Sequence, residues 1–533
     1  MKIQLYDTTL RDGAQQAGIS FSVEDKLRVI RKLDELGIHY IEGGWPGSNP
    51  KDTEFFLRLR SEKLIRSVPV AFGSTRRPDN QAENDANLKS LIEAGTEVVT
   101  LVGKGSAEQV ANILKVSLEE NLRMITDSIR YLKSRERRVL FDAEHFFDGY
   151  KFDAEYSRSI IRHAFVAGAE CVVLCDTNGG TLPNDIAAIC RASKQKGISL
   201  GIHAHNDAEL AVANTLAAVR AGIRHVQGTI NGYGERCGNA SLCSIIPSLQ
   251  FKMGIRCLPE ERVARLTEVS RYVSEVANLP PDSRLPYVGA SAFGHKAGIH
   301  ISGMIKAKES YQHIDPQLVG NNSRMLVSEL SGINTVIFKA KELGLDYATR
   351  KAEAKSILKQ VKALESQGFT YEDAEASFQL LLHRVQPGYR SPFELVDFMV
   401  VVERQRRIPT IKDQGTLSEA MVKVKVGNEI HHTAAEGNGP VNALDEALRK
   451  ALCQFYPGLA VIKLIDYKVR ILEESEGTEA KVRVLIESSD GEKEWHTVGS
   501  STNIIEASWI ALADSMEYWL LDEKHRVMAK KRE

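Results

Sequence analysis

Two histidines stand two residues apart in "HAHND", His203 and His205, and near the start of the chain "DTTLRDGA" carries Arg11 and Asp12. On a β-strand such a pair shares one face, roughly 6.5 Å apart along the chain, so both imidazoles point the same way. With Asp12 beside them they form a mixed nitrogen and oxygen set that suits a divalent ion with positions left for water or substrate. Without a metal, the same residues are a hydrogen-bonded pair in a core. Arg11 keeps its proton at any working pH and is no base. Beside a metal it would neutralise a carboxylate or a developing oxyanion; the plainer alternative is an ion pair with Glu42 or Asp7.

Further groups join this set. Glu144, in "FDAEHFFDGY", is an acid/base, an orienter of a histidine or a structural hydrogen-bond partner. Asn239, in the Gly-rich "GYGERCGNASL", either adds an oxygen to the metal or belongs to an ordinary loop. The stretch "AFGHKAGIHISGM" (292–304) holds His295, Lys296 and His300, and one of these histidines is a candidate base near neutral pH. No lysine ends "ECVVLCDT" or falls in "LGIHAHND", so Schiff-base chemistry lacks a nucleophile there and metal-assisted enolate chemistry is favoured.

These side chains need elements that bring them to one rim. Short β-rich runs at 3–10, 38–44, 67–73, 97–103, 138–146, 170–177, 200–207 and 225–230 alternate with helix-like segments. One such segment is "SVEDKLRVIRKLDELG" (22–37): Ser22 and Asp25 make a capping-box start, Leu27, Ile30, Leu33 and Leu36 an apolar face, and Gly37 the stop. Eight strand–helix units predict an α/β fold closed as a parallel (β/α)8 TIM barrel, in which chemistry gathers at the C-terminal strand ends. Polar strand ends recur there at Glu42, Asp142, Glu144, Asp176, Thr177, His203, His205 and Asp207.

Past residue 257 the strand rhythm gives way to helical patterns. The expected division is a catalytic barrel at 1–280, a helical connector with lid elements at 281–410 and a C-terminal α+β domain at 411–525. The last holds a repeat, residues 422–452 and 482–512, each reading as ββα with a His-Thr pair, His432-Thr433 and His496-Thr497. It carries no catalytic constellation, so regulation or oligomerisation is its expected work.

The 533 residues include 69 basic and 70 acidic side chains, a formal net charge of −1, which offers no field to recruit nucleic acid or an anionic membrane. The seven cysteines show no repeated pair spacing and read as reduced thiols. No apolar run approaches the roughly 18 residues that span a bilayer. A cytoplasmic protein is expected.

"DTTLRDGAQ", "HAHND", "GNASL" and "KAGIHISG", in that order, closely resemble the acyl-CoA/2-keto acid condensing enzymes of the metal-dependent TIM-barrel lyase superfamily: isopropylmalate, homocitrate and citramalate synthases. The likeness covers nearly the whole chain, because the C-terminal repeat resembles their allosteric domain. It implies that Asp12, His203, His205 and Asn239 hold a divalent ion (Mg, Mn or Zn), that Arg11 polarises the ketone and stabilises the alkoxide, and that Thr177 binds the keto-acid carboxylate. It further implies that Glu144, His300 and Tyr311 deprotonate the methyl group of acetyl-CoA, and that the enzyme is a homodimer. "EGGWPGSNPKD" (42–52) and the length look most like the members that use pyruvate to form (R)-citramalate for isoleucine synthesis, with isoleucine as the implied effector. The alternatives are a synthase using 2-oxoisovalerate, for leucine synthesis, and a carbon–carbon lyase on the same barrel. The fifth-strand motif departs from the "FSxEDA" of isopropylmalate synthases, so only Glu144 carries over there. Pocket walls for the keto acid are expected around Phe72, Gly73, Thr75 and Leu101.

Overall fold

The computed structural model describes residues 3–403, 417–472 and 480–530. One compact unit runs to Phe293 and takes in Gln312–Ser323; the other comprises Gly294–Tyr311 and the chain from Arg324 onward.

The first unit is a closed barrel of eight parallel strands in sequence order: β1 (Gln4–Asp7), β2 (Tyr40–Gly44), β3 (Val68–Ser74), β4 (Val98–Lys104), β5 (Arg138–Glu144), β6 (Cys171–Asp176), β7 (Leu200–Ala204) and β8 (His225–Gly228). β1 closes it against β8, with Leu5 beside Val226 and Asp7 beside Gly228. Alternation along the strands separates two cores. Tyr6, Tyr40, Val70, Val98, Leu140 and Val173 fill the barrel interior, while Leu5, Ile41, Ala71, Val99, Phe141 and Val172 pack against the surrounding helices.

The helix Val23–Leu36 starts on the predicted cap: Ser22 Oγ accepts from the Asp25 N–H at 3.1 Å, and the Asp25 carboxylate accepts from the Ser22 N–H at 2.9 Å. It stops at Gly37, whose φ of 95° lies in the left-handed region that favours glycine. The first strand is shorter than its pattern. Beyond Asp7 the chain turns, the N–H groups of Arg11 and Gly13 donating to Thr8 O at 3.2 and 3.0 Å, so Arg11 and Asp12 ride on a turn rather than on the strand itself. His205 likewise follows the end of β7, bridged to Asn239.

In the second unit, β9 (Gly294–His295) and β10 (Arg324–Met325) form a small parallel pair. Helices Ile333–Glu342, Lys351–Ser366 and Glu375–Arg384 share a core around Val336, Tyr347, Ile357 and Phe378. Two antiparallel sheets follow: β11 (Glu394–Glu403), β12 (Leu417–Val426) and β13 (Glu429–Gly437), then β14 (Lys463–Ile471), β15 (Val482–Ser489) and β16 (Glu494–Ser501). Their helices are Pro440–Leu452 and Ile504–Lys530. The predicted repeat is present, and both halves keep one contact: Thr433 Oγ1 donates to Ala447 O at 2.8 Å, Thr497 Oγ1 to Ala511 O at 2.7 Å. Each half carries one more strand than its ββα pattern, β11 and β14. β11 lies inside the stretch read as helical connector; the expected boundary at 410 falls outside the described residues.

Among the described residues no helix is long and apolar enough to cross a membrane, and all seven cysteines are free thiols.

Candidate metal centre and its cavity

One ligand atom each from Asp12, His203 and His205 lies within 4.8 Å of the others. The Asp12 carboxylate is 3.3 Å from His203 Nε2 and 4.0 Å from His205 Nε2, and the two Nε2 atoms are 3.3 Å apart. All three residues are buried. Asp12 Oδ1 has no hydrogen-bond partner, and neither does the buried Asn239 Oδ1, whose amide nitrogen donates to Tyr233 O at 3.2 Å. A buried acceptor left unpaired costs about 1–3 kcal/mol. Two such oxygens accompanying two imidazoles fit a bound divalent cation.

The charges around Asp12 keep it ionised. Burial works against an ionised Asp12, but Arg11 and His203 outweigh it and hold the carboxyl well below its ordinary range. Burial lowers both imidazoles; at His203 the hydrogen bond and charge of Asp12 reverse the direction and raise it. His205, buried and facing His203, drops to about 4.

Arg11 makes the ion pair with Glu42 that its sequence context allowed, and it also lies against Asp12. Its Nε donates to Glu42 Oε1 at 2.5 Å, its Nη1 lies 3.4 Å from Asp12, and its guanidinium sits 3.9 Å over the Phe72 ring. Glu42 also accepts from Thr8 Oγ1 at 2.6 Å and from the Tyr6 hydroxyl. Asp7, the other partner considered for Arg11, instead accepts from the N–H and hydroxyl of Thr9 at 2.9 and 2.8 Å.

A cavity of about 220 Å³ opens above these groups, lined by Arg11, Asp12, Trp45, Phe72, Val102, Glu144, Thr177, His203, His205 and Arg236, among others. Thr177 Oγ1 accepts from the His145 N–H at 2.8 Å, which leaves its own hydrogen for a ligand. Of the expected walls, Phe72 is in place. Leu101 is out of phase and packs into the outer core, so Val102 faces the cavity instead; a side chain at Gly73 would also point outward, into Asn87 and Leu91. Thr75 is buried beside Gly103.

Sequence reasoning missed Lys104, which ends β4 and forms an ion pair with Glu144. The signal was there, since Lys104 has the parity of the inward Val102. It also missed Gln227, hydrogen-bonded to His203. His300 and Tyr311 lie in the second unit, exposed, with their rings stacked at 4.4 Å between centroids.

A closed parallel barrel with two histidines and an aspartate at its C-terminal rim, beside a charged arginine, defines a metal-dependent barrel enzyme. Residues 2–273 match the HMGL-like family model, 287–368 the homocitrate synthase post-HMGL domain-like model, and 372–520 the LeuA allosteric (dimerisation) domain model. The chain is 52% identical to an (R)-citramalate synthase of Geobacter sulfurreducens, over 97% of each chain, and 50% identical to one of Aquifex aeolicus, over 99% of each. Against a 2-isopropylmalate synthase of Methanocaldococcus jannaschii the identity is 30%, over 97% of this chain and 94% of the other. The chain belongs to the (R)-citramalate synthase family of HMGL-like enzymes.

Proposed function

We propose that the chain condenses acetyl-CoA with pyruvate and hydrolyses the thioester, giving (R)-citramalate and coenzyme A for isoleucine synthesis. The observation that carries the chemistry is the Asp12–His203–His205 cluster beside an Arg11 locked to Glu42. Pyruvate, rather than 2-oxoisovalerate, is supported by relatives at about half identity that bear the citramalate synthase name, against 30% for the isopropylmalate synthase.

Asp12, His203, His205 and Asn239 would hold a divalent ion, Mg, Mn or Zn, which supplies Lewis acidity toward the oxygens of the keto acid. Thr177 donates its hydroxyl hydrogen to the keto-acid carboxylate. Glu144, kept in place by Lys104, acts with His300 and Tyr311 to take a proton from the acetyl-CoA methyl group. The carbon so released attacks C2 of pyruvate, and Arg11 offsets the negative charge that grows on the ketone oxygen as that bond forms. Water then cleaves the thioester, leaving a carboxylate and the coenzyme A thiol.

We assign catalysis to 1–280, the connector to 281–410 and regulation to 411–525; the LeuA-type domain supports an allosterically regulated homodimer, and isoleucine is the effector we assign to it. Seven free cysteines fit a reducing compartment, and the cytoplasm is the one we assign.

The test is release of free thiol from acetyl-CoA with pyruvate, 2-oxobutyrate, 2-oxoisovalerate and 2-oxoglutarate, with and without EDTA. EDTA-sensitive release, fastest with pyruvate, is expected. Preference for 2-oxoisovalerate would move the chain to leucine synthesis, and silence with every keto acid would favour a lyase.

A further inference from the structure

We propose that Gln227, itself held by Asp142, fixes the tautomer and aim of His203 and is therefore a positioning residue for the metal centre. The inference rests on the reading of Asp12, His203 and His205 as ligands.

His203 turns Nε2 toward both Asp12 and His205, each 3.3 Å away, so Nε2 is the atom that must keep a free lone pair to bind a cation. A neutral imidazole carries one N–H, which must then sit on Nδ1. Nδ1 lies 2.9 Å from Gln227 Oε1. A carboxamide can offer a ring nitrogen either its oxygen or its NH2, and the two choices demand opposite tautomers. The far end of the amide makes the choice. Gln227 Nε2 donates to Asp142 Oδ1 at 3.1 Å, and this contact commits the NH2 to Asp142 and the oxygen to His203.

Gln227 is wholly buried, and only the edges of Asp142 and His203, 3% and 5% exposed, reach the cavity, so the amide between them has no contact with solvent. Asp142 stands on β5, while Gln227 on β8 neighbours His203 on β7, so the relay crosses the barrel interior and is fixed by closure of the barrel. His205 has no equivalent support: its Nδ1 is buried and unpartnered. The directional control of the centre thus falls on His203. Partners in this position commonly change metal affinity by about 10–100-fold when removed.

The experiment measures Mn²⁺ binding to the metal-free, full-length protein, by electron paramagnetic resonance of the free ion, for wild type, Gln227→Met, Asp142→Asn, Gln227→Glu and His203→Ala. Circular dichroism checks that each is folded. Gln227→Met removes the acceptor and is expected to weaken Mn²⁺ binding at least 10-fold. Asp142→Asn, nearly isosteric, allows the amide to turn round and should weaken it several-fold; it carries the test should the methionine variant not fold. Gln227→Glu keeps an acceptor for Nδ1–H and should bind more tightly than Gln227→Met, a rescue that a merely space-filling role would not produce. Affinities within threefold of wild type for the Met and Asn variants, with binding lost in His203→Ala, would overturn the relay while leaving the metal site standing. Unchanged binding in His203→Ala would remove the site reading, and the relay with it.

Discussion

Arg11 pairs with the wholly buried Glu42 and lines the cavity where, in the proposed reaction, a ketone oxygen gains negative charge. Arg11→Ala is expected to lower kcat by about 10²–10³-fold, the usual loss when an oxyanion partner is removed. Mn²⁺ binding should persist, because Asp12, His203 and His205 remain; substantial residual turnover would take Arg11 out of the mechanism. Asp7 gives a prediction about pH. Burial raises its carboxyl to about 7 from the ordinary 3.8, against the opposing hydrogen bonds from Thr9. The folded state therefore binds the Asp7 proton more tightly than the unfolded one, so this contribution to stability is full below the unfolded value and is lost as pH rises through about 7. Asp7→Asn cannot ionise. Its stability relative to wild type, measured by urea denaturation, should improve from pH 5 to about pH 7 and level off above it, and parallel pH curves for the two proteins would show that Asp7 does not titrate in this way. At this scale the sequence was most legible where chemistry is local. The spacing of His203 and His205 alone places both rings on one face, whereas Gln227 in "HVQGTI" looks like any polar residue in a short strand.

Elements were legible where punctuation is strong. Ser22, Asp25 and Gly37 announce both ends of the helix Val23–Leu36, and the capping box and left-handed stop are there. Ser22→Ala should lower the unfolding free energy by about 1 kcal/mol without changing turnover, as read from denaturant midpoints; an unchanged midpoint would mean the cap contributes nothing. Phase along the buried strands was less legible. Parallel barrel strands are covered on both faces and therefore apolar on both, so "VVTLVGK" carries no period-two signal to decide between Leu101 and Val102 for the cavity wall. β11 escaped for a related reason: "ELVDFMVVVE" lacks the alternation of "MVKVKV" and follows a run of helices.

In the C-terminal sheets the two strands β11 and β14 leave apolar side chains open. The helices Pro440–Leu452 and Ile504–Lys530 bury Val422, Val424, Val484 and Ile486, yet Val396, Met399 and Val402 on β11 and Ile465, Val469 and Ile471 on β14 remain exposed. Apolar residues grouped on a surface mark association sites, and the LeuA-type domain is a dimerisation domain. Val469→Glu combined with Ile471→Glu should convert a dimer into a monomer in sedimentation velocity, and an undisturbed dimer would place the interface elsewhere. By itself the sequence determined the alternation of eight strands with helices, the paired imidazoles, the cap and stop of a helix and the C-terminal repeat. Each follows from residues a few positions apart, whose relative directions are set by backbone periodicity. Only the tertiary structure decided that Glu42 holds Arg11, Lys104 holds Glu144 and Asp142 holds Gln227, across 31, 40 and 85 residues of chain. Those partners meet because the barrel closes in one register, and no local pattern encodes which inward side chains that closure brings face to face.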